Sequence, residues 1–337
     1  MIIQTHNEWD KLNSIVLGDI AGARFPKYDD VFNKVAEGSK WTETAQPKGP
    51  INQTVIEETK VELDFMKQTL EQAGVTVYHP RQLDFQQVVH GYRYFSDGMY
   101  NYCPRDVILI IGNYVIESPS LFHSRHHECE AYRDIRNDAM TDGCKWISAP
   151  NHALPVNEVF DADGNLTEKT PIFDAANVMR FGKDILYLKS QTGNAAGARW
   201  LSTVLGSEYT VHIWDKVYAY AHIDSTIAAL NEETVLLNKQ RIRTAGKLPK
   251  FLRDKKKIWV DNDMIAETDF HVYPYASKWI GMNVLSIDPN TVMVDPRQTK
   301  LIKRLEKDKF DIAPVQLTHS RTLGGGHHCV TLDLHRG

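Results

Sequence analysis

Three consecutive glycines lead to a cysteine near the C-terminal end of the chain, in Leu323-Gly324-Gly325-Gly326-His327-His328-Cys329. Glycine lets a backbone take left-handed conformations and approach a ligand or another segment closely. The turn runs into the apolar stretch Val330-Thr331-Leu332, so Cys329 stands at the mouth of a strand. A thiol presented this way suits a nucleophile; a buried, inert cysteine after a tight turn is the competing reading. A nucleophilic cysteine needs a base or cation that lowers its pKa, and that partner usually needs a carboxylate to orient it. Ala221-His222-Ile223-Asp224-Ser225-Thr226 offers both. On an extended strand the His222 and Asp224 side chains, at i and i+2, would share a face. Two more acids open apolar runs: Asp174 in Phe173-Asp174-Ala175-Ala176-Asn177, and Asp106 in Tyr102-Cys103-Pro104-Arg105-Asp106. An acid at the mouth of a buried strand is costly unless paired. Asp106, Asp174 and Asp224 together would hold a cationic ligand; singly, each reads equally well as a turn or cap acid.

Strand-length apolar runs recur at 14–17, 75–78, 107–111, 114–116, 178–181, 185–188, 211–214, 235–237, 284–287, 291–294 and 330–334. Helical patterns lie between several of them. In 55–73, Ile56, Leu63, Met66, Leu70 and Ala73 share one face, Thr54 with Glu57 reads as a capping box, and Gly74 as the terminating glycine. Further helices are predicted at 125–140, 195–205 and 299–307. The mixture continues without an obvious linker, which predicts one α/β domain over residues 1–337. Residues 19–50, with Gly22, Pro26, Gly38, Pro47, Gly49 and Pro50, read as a long irregular loop, either a lid over a site or a surface excursion. Residues 238–257 carry nine basic side chains against Asp254 alone, a solvated face or a surface for an anionic substrate group.

A net charge of −4 gives no general attraction to nucleic acid or to an anionic membrane, and no apolar run approaches a membrane span. Cys103, Cys129, Cys144 and Cys329 lack CxxC spacing and are too few to staple so long a chain. Free thiols in a reducing compartment follow, and a cytoplasmic location is expected. Gly193-Asn194-Ala195-Ala196-Gly197 lacks the lysine–serine pair of a phosphate loop, so no nucleotide is expected. His123, His126, His127 and Glu130 have the spacing of one helix face and could form a metal patch.

Taken together, the motifs resemble the arginine amidinotransferase family, which includes glycine and inosamine-phosphate amidinotransferases. The resembling segments appear in family order from about Trp9 to Leu334. They are 102–106 with Gly112-Asn113-Tyr114-Val115-Ile116-Glu117, then Ser124-Arg125 to Ala131-Tyr132-Arg133, 173–177 and 222–224. Ser277-Lys278-Trp279 with Met282-Asn283-Val284-Leu285, and 323–329, complete the set. The resemblance implies a pentein-type α/β propeller: five ββαβ-like modules with pseudo-fivefold symmetry around a central active site. It implies Cys329 as nucleophile, His222 as general acid and base, and Asp174 as its carboxylate partner. Asp106 and Asp224 would grip a guanidinium, with Arg125, Arg241 and Ser277 supporting the substrate or the pocket.

The implied reaction moves the amidino group of L-arginine onto Cys329, releases L-ornithine, and passes the group to an acceptor amine. Neither metal nor other cofactor is implied. Where the mitochondrial glycine enzymes carry an Asn/Pro-rich stretch and a methionine before the histidine, this chain has Val217-Tyr218-Ala219-Tyr220-Ala221. That suggests a roomier acceptor side, so glycine is not the expected acceptor, and the basic stretch 238–257 would suit a phosphorylated one. Two alternatives remain: a pentein hydrolase of the arginine deiminase or dihydrolase type, and a non-catalytic pentein binding protein. A homodimer is compatible with the sequence.

Overall fold

Short apolar runs, most of them buried on both faces, assemble into five small sheets of one plan. The structure, a computed structural model, describes residues 1–37, 46–218, 220–242 and 248–337. In chain order the sheet strands are β1 (Leu12–Leu17), β2 (Thr76–Tyr78), β3 (Ile108–Ile111), β4 (Tyr114–Glu117), β5 (Lys145–Ser148), β6 (Val178–Phe181), β7 (Asp184–Leu188) and β8 (Thr210–Trp214). They continue with β9 (Ile227–Ala229), β10 (Thr234–Asn238), β11 (Lys256–Val260), β12 (Leu285–Ser286), β13 (Thr291–Val294), β14 (Asp311–Pro314) and β15 (Thr331–Arg336).

In every sheet the middle strand pairs antiparallel with one neighbour and parallel with the other. The orders are β15-β1-β2, β3-β4-β5, β6-β7-β8, β9-β10-β11 and β12-β13-β14. Four of these antiparallel pairs are tight hairpins. The fifth joins β15 to β1, with Val16 opposite Leu332. A parallel neighbour needs a crossover. Among the described residues, α-helices lie in four of the crossovers, at Gln53–Gln72, Arg133–Thr141, Ala195–Leu205 and Thr299–Lys307.

Because side chains alternate across a strand, each sheet feeds two cores. Val16, Leu332 and Leu334 pack with Ile108, Ile110 and Val115. Leu109, Ile111 and Ile116 pack with Val178, Ile185 and Tyr187. Met179, Phe181 and Leu186 meet Ile227, Val235 and Leu237. Ala228, Leu236 and Ile258 meet Val284, Val292 and Val294. Leu285, Ile287 and Met293 return to Leu12, Ile15 and Leu17.

Several expectations need correction. The helix expected at 125–140 begins only at Arg133; residues His123–Arg125 and Glu128–Tyr132 are 3₁₀ turns. The helix-face spacing of His123, His126, His127 and Glu130 therefore does not apply: His123 and His126 are buried, while His127 is exposed. Among the described residues no three His, Cys, Asp or Glu side chains are grouped to hold a metal ion. Asn52, not Thr54, caps the first crossover helix, accepting from the Thr54 amide at 2.9 Å. The stretch 19–50 is not wholly irregular: Arg24–Phe25 pairs with Gly49–Pro50 and a helix spans Asp30–Glu37, while 38–45 lie outside the described residues. No described helix is long and apolar enough to cross a membrane.

Candidate active site

The segment entering the first strand of each hairpin supplies a polar side chain to one region, and in the β15–β1 sheet the segment entering β15 does so. Asp106 lies in the single helical turn Pro104–Val107 before β3, and Asp174 precedes the 3₁₀ turn Ala175–Asn177 before β6. Asp224 sits in the turn before β9, Asn283 before β12 and Cys329 before β15. The pair His222 and Asp224 is therefore not on a strand, as the i, i+2 argument supposed. The turn is pinned instead by Ile223, which is buried and whose amide donates to the Ala176 carbonyl at 3.0 Å.

One cavity is lined by all eight residues singled out from the sequence: Asp106, Arg125, Asp174, His222, Asp224, Arg241, Ser277 and Cys329. His222 bridges two acids, with Nε2 at 3.0 Å from Asp174 Oδ2 and Nδ1 at 3.5 Å from Asp106 Oδ1. Ser120 Oγ donates to the other Asp174 oxygen at 2.7 Å. Burial opposes a charge on His222, but Asp106, the Asp174 hydrogen bond and Asp224 outweigh it and raise its pKa to about 9. Arg125 Nη1 donates to Asp106 Oδ2 at 2.6 Å and is steadied by Glu128, whose Oε2 accepts from Nε at 2.9 Å. Asp106 Oδ1 is buried and makes no hydrogen bond within the protein, and burial raises this carboxyl against the pull of His222 and Arg125. A buried carboxylate oxygen that makes no hydrogen bond beside a cavity favours a cationic donor there.

The Cys329 thiol donates to Asp224 Oδ2 at 3.1 Å and accepts from Asn283 Nδ2 at 3.1 Å. Asn283 Oδ1 accepts from the amides of His328 and Cys329 at 2.9 and 3.0 Å, so one amide side chain fixes the turn and the sulfur together. Burial, then Asp224 and Asp106, push the thiol well above its ordinary pKa. Asp224 moves the other way: burial would raise it, but His328 and His222 hold its carboxyl well below the usual range. Arg241 stacks on Tyr218, 3.7 Å from the ring centroid, and donates to Ser225 and Thr226. Ser277 lines the cavity where the 3₁₀ turn Lys278–Met282 begins. Phe32 and Val35, from the helix Asp30–Glu37, also lie on the wall.

Packing explains the glycine triplet. Gly324 has φ +79°, and a Cβ on it would stand 2.3 Å from Tyr275. A Cβ on Gly325 would meet Cys103 Sγ at 2.5 Å, and one on Gly326 would meet Asn283 at 2.8 Å. Gly325→Ala is therefore expected to lower stability by about 1–3 kcal/mol, since a buried single-torsion thiol cannot move aside without backbone shifts. A thermal melt equal to wild type would show that the turn has slack.

Sequence reasoning gave no role to Asn283, Ser120 or His328, although Asn283 and His328 lie in resembling segments. Asn283 was legible in principle: it holds the strand-entry position of the fourth hairpin, where the others carry Asp106, Asp174, Asp224 and Cys329. Of the acceptor-side stretch 217–221, Tyr218, Tyr220 and Ala221 line the cavity, while Ala219 lies outside the described residues. Of the basic stretch, residues 243–247 lie outside them as well.

No protein-family model matches the chain. Inosamine-phosphate amidinotransferase 1 of Streptomyces glaucescens is 43% identical over 340 residues, covering 99% of this chain and 97% of that one. The mitochondrial glycine amidinotransferase of Xenopus tropicalis is 32% identical over 354 residues, covering 98% and 82%. The solved inosamine-phosphate amidinotransferase of Streptomyces griseus superposes with a TM-score of 0.91 at 40% identity over 99% of this chain and 97% of that one. DDAH from Pseudomonas aeruginosa, with a TM-score of 0.59 at 13% identity over 96% and 99%, shares the fold alone. With such relatives matched over nearly its whole described length, the chain belongs to the amidinotransferase family, whose fold is the pentein α/β type.

Proposed function

We propose that this transferase takes its amidino group from L-arginine, carries it on Cys329 and delivers it to an acceptor amine, releasing L-ornithine and a guanidino product. The observation that carries the reading is the convergence of one thiol and three carboxylates in a single cavity, with Asp106 Oδ1 buried and making no hydrogen bond. Resonance makes a guanidinium a poor electrophile. Asp106 and Asp224, binding different edges, would fix its plane and hold the central carbon against Sγ. Attack by the thiolate on the cation gives a neutral tetrahedral adduct. His222, held protonated and oriented by Asp174, gives its proton to the departing nitrogen, so ornithine leaves as a neutral amine and an amidinium remains on the sulfur. The acceptor then attacks the same carbon, the now neutral His222 takes its proton, and the thiolate departs. Arg125 keeps Asp106 in place, and Arg241 and Ser277 contact the rest of the substrate. Two half-reactions on one covalent carrier predict ping-pong kinetics.

The free site holds a thiol and an imidazolium, so His222 cannot take the sulfur's proton. A bound guanidinium adds positive charge beside both groups and lowers both pKa values, so the thiol loses its proton to solvent only when substrate arrives. Binding of a nonreactive arginine analogue at pH 8 is expected to release close to one proton, read by calorimetry in buffers of different ionisation enthalpy, and to increase thiolate absorbance. Binding without either change would overturn substrate-assisted ionisation.

The five sheets, read as modules around this cavity, form a propeller with pseudo-fivefold symmetry. The cyclic succession of cores and the closing pair β15–β1 support that reading, and support residues 1–337 as one domain. The acceptor is an amine larger than glycine: Tyr218, Tyr220 and the small Ala221 form a broad wall. Incubation with arginine and a panel of amines tests the whole reading. Ornithine release that depends on the added amine supports transfer. Citrulline and ammonia without an amine would make the protein a hydrolase, and unchanged arginine across the panel would leave only a binding role.

A further inference from the structure

His328, one residue before the proposed nucleophile, has no part in the chemistry above, yet both of its ring nitrogens face carboxylates. Nδ1 lies 3.1 Å from Asp224 Oδ2 and Nε2 lies 3.2 Å from Glu8 Oε2, and all three side chains are buried. Asp224 and Glu8 are both held ionised, and an ionised carboxylate only accepts. A carboxylate oxygen therefore stands as the acceptor opposite each ring nitrogen of His328. Behind the ring the arrangement is rigid. Glu8 accepts from the Arg180 amide at 3.1 Å and from Arg180 Nε at 2.7 Å, and Arg105 Nε donates to the His328 carbonyl at 2.8 Å. Asp333 pairs with Arg105, Arg180 and Arg336. In front of the ring stands the buried Asp224 carboxylate. The Asp224 oxygen that meets His328 is also the one that accepts from Cys329 Sγ.

We propose that His328 is a positioning residue: by donating from Nδ1 it keeps Asp224 Oδ2 on the Cys329 thiol and draws charge away from the face of that oxygen beside the sulfur. This rests on the assignment of Cys329 as nucleophile, but not on arginine as donor. The rival is a purely structural role, in which His328 serves only to anchor Glu8 and its arginines. The two ring nitrogens separate these. Asparagine at 328 places an amide donor where Nδ1 stands and loses Nε2; glutamine places one where Nε2 stands and loses Nδ1.

Alkylation of Cys329 by iodoacetamide at pH 8, followed by peptide mass analysis, reads the thiol without any substrate, and ornithine release from arginine reads turnover. His328→Gln is expected to slow alkylation about tenfold, one unit of thiol pKa. Its kcat should fall by up to about 100-fold, the scale on which a misplacement of about 1 Å costs rate, while KM for arginine changes little. His328→Asn is expected to keep both rates close to wild type. Glutamine preserving and asparagine destroying both rates, or equal alkylation in all three proteins, would overturn the proposal. If the glutamine variant does not fold, His328→Ala takes its place: alkylation slower than in the asparagine variant supports positioning of Asp224, and equal alkylation of the two overturns it. Alkylation that ranks as expected in a protein inert toward arginine would leave the positioning role standing and remove the donor assignment.

Discussion

Cys329→Ala is expected to abolish ornithine release, with kcat lower by at least about 10⁴-fold, the scale on which removal of a covalent nucleophile acts. The loss should be that large because nothing nearby can substitute. Cys103 packs on the far side of Gly325, and burial, then Asp106, push its thiol well above the ordinary range. Serine would offer a hydroxyl far more basic than a thiol, with no neutral base beside it while His222 is protonated. Binding of arginine should survive, because Asp106, Asp174 and Asp224 keep their positions when the sulfur is removed. The measurement pairs arginine binding by calorimetry with intact mass after incubation with arginine alone. One added amidino group on wild type and none on the variant is the expected pair. An adduct that persists on the alanine protein would move the nucleophile elsewhere.

Much of this site was legible because its chemistry is concentrated in short segments next to strongly apolar strands. The runs that became β3, β6, β10 and β13 are buried on both faces, so their sequences carry few polar residues and stand out. Three of the four strands that escaped notice are parallel outer ones; the fourth is the short antiparallel β9, while the parallel β2 and β8 were found. In β5, β11 and β14 most positions are exposed or half-buried, and Lys145, Lys256, Lys257, Asp311 and Pro314 interrupt any apolar pattern. Such strands are specified by their crossovers and by pairing with a middle strand, neither of which a local window records.

The same limit explains why the helix expected from 125 starts eight residues late. Arg125 and Glu128 are three apart and spaced well for a helix, but both turn inward, Arg125 to the Asp106 carboxylate and Glu128 to Arg125, and these ion pairs override the local pattern. His328 and Asn283 were obscured for another reason. Their partners, Glu8 and Cys329, lie 320 and 46 residues away, and only the closed fold brings them together.

Asp174→Asn is expected to leave the fold and arginine binding nearly intact while lowering kcat about 10²–10⁴-fold, the range in which a positioned general acid contributes. Asparagine is isosteric, and its carbonyl can still accept from His222 Nε2 while Ser120 rotates its hydroxyl. Charge is what disappears. His222 stands at about 9 because Asp106, the Asp174 hydrogen bond and Asp224 together outweigh burial, and removing the Asp174 charge drops it toward the ordinary value of 6.5. The sign follows directly. The acid form of His222 exists below its pKa and is lost as pH rises through it, so the wild-type basic limb of kcat/KM belongs near pH 9. In the variant that limb moves into the window between about 6.5 and 9. The defect should therefore be severe at pH 8.5 and partly repaired at pH 6. Asp106→Asn also removes a charge from His222, but it leaves Arg125 with Glu128 alone and takes from the guanidinium the carboxylate oxygen that makes no hydrogen bond, so KM for arginine should rise as well. Profiles of kcat/KM against pH for wild type and the two variants separate these effects. A basic limb that stays near pH 9 in Asp174→Asn, or a defect that deepens toward acid pH, would mean that His222 is not the proton donor to the leaving nitrogen.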